Sequence, residues 1–299
     1  MSKGLLVTAI IMISLSSSAL AAPSEFKAIG DKASVTLEPE KSYLIIQTSS
    51  GSSMFSFPMT FIRRPEPADV ADYRNRRGIA LGKAHAKWVK RHTEWQTSAA
   101  NWETLSKEAK GAIPRPQEPT EPTDANLAFP ALEQENMVTI GPFNRFSKAN
   151  GHSTFLHMVR PGRYAFYGPM DSVLGGGSCM CMGSFEFEVK PGQIVNAGLM
   201  KLNLMEQMSK AKAEGKEKPK SDFDLPEGMT SIGWDVPVAG TDIDPRLLAY
   251  KIVPAELKAS GRFQNYFGIQ IDRITPIPGV IDYDRDRIVD LKANLKSDK

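Results

Sequence analysis

Short apolar runs of strand type occupy two stretches of this chain, and a long stretch rich in alanine, lysine and arginine separates them. Over residues 34–48, SVTLEPEKSYLIIQT carries two β-prone segments around the turn formers Glu38, Pro39 and Glu40. After a Gly/Ser loop, MFSFPMTFI at 54–62 predicts another strand, which Pro58 would confine to a sheet edge or a bulge. Strand character returns at 136 and continues to about 204 in MVTIGPF, STFLHMVR, RYAFYG, SFEFEVK and IVNAGLMKL, with Pro161-Gly162 and Pro191-Gly192 at turn positions. SFEFEV alternates apolar and acidic residues, the pattern of a strand with one wet face. This succession predicts a mainly β protein, an antiparallel β-sandwich of immunoglobulin-like or Greek-key type. The sandwich would take residues 34–64 and 134–205, with 66–125 inserted as a helical and proline-rich excursion. Residues 206–221 read as a lysine-rich linker, and 222–299 as a less regular C-terminal region packed on the sandwich.

The insertion has two periods. Residues 69–110 contain no proline and few β-branched residues, which favours helix, with Gly78 and Gly82 weakening its start. Trp88, Trp95 and Trp102 fall seven apart on it and form one stripe. IPRPQEPTEPT follows, with Pro114, Pro116, Pro119 and Pro122 favouring an extended polyproline II course. Seven helical residues rise about 10.5 Å, and three residues of polyproline II rise about 9.3 Å. The two repeats nearly match, so the proline segment is expected to return along the helix with Pro116, Pro119 and Pro122 near Trp102, Trp95 and Trp88. The competing readings are a stripe packed on the protein's own sheet, and a helix pair. The positions Ala84, Arg91, Ser98 and Leu105 make a poor coiled-coil seam for the latter.

Composition fits a folded protein: 41% apolar residues supply a core, and a net charge of +3 gives no global attraction for nucleic acid or anionic lipid. The first residues change the compartment. Lys3, an apolar run over 5–15 and small residues ending in Ala19, Leu20 and Ala21 form a secretory leader, residues 1–21, cleaved before Ala22. The expected product is periplasmic or secreted, without a transmembrane segment after cleavage.

That compartment bears on GGGSCMCMG at 175–183, which holds both cysteines. An oxidising environment favours a structural disulfide between Cys179 and Cys181, although one intervening residue in an extended strand would separate their Cα atoms by about 6.6 Å. The other readings are inert buried thiols, a soft-metal site in which Cys179, Met180, Cys181 and Met182 hold copper, and thiol redox chemistry. The last is disfavoured because disulfide exchange ordinarily uses C-x-x-C before a helix. His85 and His92 lie too far apart on a helix for one ion, and His152 and His157 fall on opposite faces of a strand, so all four read as surface or hydrogen-bonded histidines. The cluster Asp282, Asp284, Asp286 and Asp290 lacks the glycine and glutamate of a calcium loop, with Arg287 and Ala293 in their places. No nucleophile elbow, zinc-protease motif or phosphate-binding loop occurs. The sequence therefore points to a non-catalytic protein of the bacterial envelope that binds a protein partner or supports an assembly. Trp88, Trp95 and Trp102 are its candidate anchors. Copper binding is the alternative, and a thiol-dependent enzyme the third reading.

Overall fold

The computed structural model describes residues 26–49, 58–171, 176–218, 220, 230–240 and 243–293. The leader at 1–21 and part of the Gly/Ser loop lie outside them.

The chain is mainly β. Its strands are β1 (Lys27–Ile29), β2 (Ser42–Ser49), β3 (Met59–Arg63), β4 (Met137–Ile140), β5 (Ser147–Ala149), β6 (His152–Val159), β7 (Gly162–Asp171) and β8 (Gly176–Cys179). They continue with β9 (Ser184–Val189), β10 (Ile194–Leu202), β11 (Ile232–Asp235), β12 (Ile252–Pro254), β13 (Lys258–Ser260), β14 (Gln270–Ile271), β15 (Ile281–Asp284) and β16 (Arg287–Asp290). The helices are α1 (Pro67–Glu103), α2 (Lys107–Ala112), α3 (Leu132–Glu135) and α4 (Asn203–Ala213).

One large sheet runs β1-β6-β2-β10-β11, with β12 beside β10 and β5 beside β6; a second runs β13-β9-β7-β3-β4, with β8 on β7 and β14 on β8; β15 and β16 form a two-stranded sheet of their own. Most strand pairs are antiparallel, as expected, and three are not. β10 runs parallel to both β2 and β12, and β14 parallel to β8. The edge position expected from Pro58 is not found: β3 lies between β7 and β4, inside the sheet, and its register against β7 shifts between Thr60 and Phe61 as at a bulge. The proline sits just before the strand and contributes only its carbonyl, which accepts from Met170 N at 3.0 Å.

Apolar runs without alternation have a direct cause, because these strands are buried on both faces. In β2, Leu44 and Ile46 join the main core, to which strands of both large sheets contribute, while Tyr43 and Ile45 join a second cluster with Leu156 and Leu247. In β7, Tyr164 and Phe166 face the main core, and Tyr167 packs with Ile62, Met170, Cys179 and Cys181 in a third. The C-terminal region covers both outer faces: Ile243 and Tyr250 pack on the second cluster, Phe263 and Tyr266 on the third. The fourth tryptophan, Trp234, spans the main core, 4.6 Å from Phe185 and 5.0 Å from Phe166 between ring centroids, with its indole N–H donated to Ala197 O at 2.8 Å. The stretch read as a linker is helical up to Ala213, the end of α4.

β3 and β4 pair antiparallel, Ile62 opposite Met137. The whole excursion from α1 to α3 is therefore the connection of one β-hairpin. Long insertions at such a point cost little, since loop-closure entropy grows only logarithmically with length.

Candidate functional site

The excursion is an arm, built from a helix and the proline segment that returns along it. α1 is 37 residues long and contains no buried residue; at 1.5 Å per residue it extends about 55 Å. Its first turn is tied to the β body. Arg63, at the end of β3, has a side chain only 3% exposed and donates through Nη2 to both carboxylate oxygens of Asp69 at 2.7 Å. Asp69 also accepts from Arg160 Nη2 at 3.0 Å and, as the third residue of α1, from the backbone N–H of Glu66 at 2.8 Å. One carboxylate thus caps the helix, favours its positive N-terminal end and pins it to the body. Burial pushes the Asp69 carboxyl up, but the Glu66 N–H and the Arg63 charge outweigh it and hold the group below its ordinary range. Gly162 opens β7 at φ +139°, where a Cβ would lie 3.2 Å from Arg63 Nη1. Further out, Arg76 grips Glu135 at 2.6 and 3.0 Å, Tyr73 donates to Pro130 O at 2.9 Å, and Arg77 pairs with the backbone carbonyl of Asp124.

Beyond that base the arm is held by a ladder. The indole N–H groups of Trp88, Trp95 and Trp102 donate to the carbonyls of Pro119, Pro116 and Ile113 at 2.9, 3.1 and 2.9 Å. Seven residues of helix match three residues of extended chain at each rung. An extended proline segment has no internal hydrogen bonds, so its carbonyls are free to accept. The histidines repeat the match: His85 Nε2 lies 3.5 Å from Glu121 and His92 Nε2 3.2 Å from Glu118. Their rings alternate with the indoles, His85 to Trp88 at 5.3 Å, Trp88 to His92 at 4.8 Å and His92 to Trp95 at 5.2 Å. At the tip, Lys110 and Arg115 both reach Glu103 and lie over the Trp102 ring.

The proline segment returns along the tryptophan stripe, but one triplet out of the expected register: residue 116 meets Trp95 instead of Trp102, and residue 119 meets Trp88 instead of Trp95. The cause is the short α2, which ends at Ala112 and lets Ile113 make the first rung. The indole N–H groups of the three tryptophans are thus engaged within the chain. Replacing Trp95 by Phe keeps a ring and removes one rung, and should cost about 1 kcal/mol. The loss is expected as faster amide exchange along α1, with the unfolding of the β body unchanged.

The cysteine segment lies elsewhere. Cys179 ends β8 and is joined to Cys181 by a disulfide, with Cα atoms 5.0 Å apart. The backbone departs from the extended course after β8: Met180 N donates to Tyr167 O at 2.7 Å and Met182 N to Asp272 O at 3.0 Å. Close approach is possible because Gly168 lies under β8, where a Cβ would sit 2.0 Å from Ser178 O. Both cysteines are buried in the third cluster, whereas Met180 is buried in the main core. Met182 is half-buried. The four residues named as copper ligands therefore do not converge. Among the described residues, no group of three or more His, Cys, Asp or Glu side chains is placed to hold a metal ion. Replacing both cysteines by alanine should cost about 2 kcal/mol in urea unfolding, from the lost cross-link and lost packing.

Sequence reasoning missed two features. The Arg63–Asp69–Arg160 clamp is one: Arg63 and Asp69 are six residues apart, but Arg160 comes from 91 residues further along the chain. His157 is the other: it is buried on the core face of β6 with Phe155 and Val159, and its Nε2 has no hydrogen-bond partner among the described residues. Desolvation lowers its pKa to about 4. The reading of His157 as a surface or hydrogen-bonded histidine is corrected accordingly.

The molecule is a β protein that carries a long arm, one helix with an extended proline segment returning along it, clipped at its base to the β body. Comparison with known proteins found no matching family model, no matching curated protein and no matching solved structure. No helix among the described residues is long and apolar enough to cross a membrane.

Proposed function

We propose that this is an exported, non-catalytic protein of the bacterial envelope whose arm docks a protein partner. One observation carries the reading. A 37-residue helix that buries no residue contributes nothing to the core, yet it is clamped at its base and sealed along one face by its own chain. Ordering so long an excursion costs conformational entropy, and a rigid surface that binds with little further ordering is the return on it. The contact residues lie on the outer faces of the arm, and Trp88, Trp95 and Trp102 support them by holding the helix straight.

The test replaces residues 74–129 with a short Gly/Ser linker, which keeps Asp69 and its clamp. The β body should unfold as before, and the proteins captured from envelope extracts by the full chain should be lost. Undiminished capture of the same proteins would remove the arm from the function. Copper binding through Cys179, Met180, Cys181 and Met182 requires reduction of the disulfide and a rearrangement of Met180. Stoichiometric copper in protein purified from the periplasm would favour it over docking.

A further inference from the structure

We infer that the partner presents an acidic α-helix, and that it lies along the face of α1 turned away from the tryptophans. This rests on the docking reading and specifies its chemistry. From Tyr73 to Thr93 the helix holds seven Arg and Lys residues and no Asp or Glu. Arg76 and Arg77 spend their charge on the base of the arm. Arg74, Lys83, Lys87, Lys90 and Arg91 are exposed and enter no ion pair among the described residues; Lys83, Lys87 and Lys90 fall together on one side of the helix, while Arg74 and Arg91 lie toward the tryptophan side. Like charges this close along one helix destabilise it unless a counter-charge arrives.

The shape of the same face specifies a helix. Ile79, Gly82, Ala86, Val89 and Thr93 recur at spacings of three and four, so they form one stripe, bordered by Lys83, Lys87 and Lys90. Ile79 is 51% and Val89 47% exposed, and they bracket the small residues between them. A Cβ added at Gly82 would meet nothing within 4 Å, so no contact within the chain accounts for a residue that weakens a helix interior by about 1 kcal/mol relative to alanine. A shallow track between two apolar side chains lets a second helix approach closely, with its flanking acids beside the lysines. A lipid surface would require a broad apolar face with large side chains, which this stripe lacks. A second copy of the arm is disfavoured because it would set one lysine row against another with no acid between residues 73 and 93 to meet it.

The probe is a 21-residue helical peptide with an Ala/Leu heptad stripe flanked by glutamates, titrated into the full mature chain and followed by fluorescence anisotropy. A control peptide carries lysines at the flanking positions, and vesicles of phosphatidylglycerol test the lipid alternative. The glutamate peptide should bind and the lysine peptide should not. Reversal of three charges, K83E/K87E/K90E, should weaken the glutamate peptide about tenfold and transfer preference to the lysine peptide. Gly82→Leu should also abolish binding while slowing amide exchange in α1, because it fills the track and improves helix propensity. Equal binding of both peptides, binding of neither, or vesicle binding lost in the triple reversal would each overturn the inference. Failure here is separable from failure of the docking reading. If loss of residues 74–129 removes the natural partner while the triple reversal and Gly82→Leu retain it, docking stands and the acidic helix falls. If loss of the arm retains the partner, both fall.

Discussion

Replacing Asp69 by alanine should destabilise the protein by about 3–5 kcal/mol, the range for removing one partner of a buried ion pair. The magnitude follows from what is left behind. The Arg63 side chain is 3% exposed, and its Nε and Nη1 already lack hydrogen-bond partners among the described residues, so the variant would bury a guanidinium with no counter-ion. Glu66 offers no substitute, since its Oε1 lies 3.9 Å from Arg63 Nη1 and its side chain is largely exposed. The variant also loses the helix cap at the Glu66 N–H. Urea unfolding should show the loss in both arm and body, because the clamp joins them. Asp69→Asn, which keeps a hydrogen-bond acceptor and discards the charge, should fall between. The acid dependence has a definite sign. The Asp69 carboxyl sits below its ordinary value in the folded state, so its stabilisation is fully present above about pH 4 and is lost as pH falls through the lowered folded value. A loss under 1 kcal/mol in Asp69→Ala would mean that the clamp does not anchor the arm.

His157 should produce a second, separate acid effect at higher pH. Its folded pKa is lowered to about 4 by burial alone, while the unfolded chain titrates near 6.5. Between those values the unfolded state binds a proton that the folded state excludes. Stability is therefore full above about pH 6.5 and declines on acidification to pH 4, by about 3 kcal/mol in total. His157→Phe should flatten this limb and leave the Asp69 limb below pH 4 in place. The measurement is a series of urea titrations from pH 7 to pH 3 on both proteins. Identical pH profiles between pH 6.5 and 4 would show that His157 is hydrated or paired in solution.

His157 and its neighbour in β6, His152, show what could be read from the chain. The odd spacing of His152 and His157 puts them on opposite faces of one strand, and in β6 they are; which face is buried depends on the other sheet, whose Phe61 and Phe166 share the main core with Phe155. The match between tryptophans seven apart and prolines three apart was legible because both repeats are local. Its register was not, because it is set by where α2 stops. The strands themselves were legible as short β-prone runs. The parallel pairing of β2 with β10 was not, since nothing near Tyr43 signals that Ile194 lies beside it. Pro58 misled because a proline next to a strand reads the same whether it lies within the strand or just before it.

Docking through the arm, and not through the β body, has a direct consequence for what lies beside each surface in the cell. Site-specific photocrosslinking on the full-length protein in cells tests it most directly, with a photoreactive residue placed in turn at Ala86 and Val89 on α1 and at Phe143 and Phe267, two exposed apolar positions of the body. A discrete crosslinked protein is expected from Ala86 and Val89, absent from Phe143 and Phe267. A partner captured from Phe143 or Phe267 with nothing from α1 would contradict it.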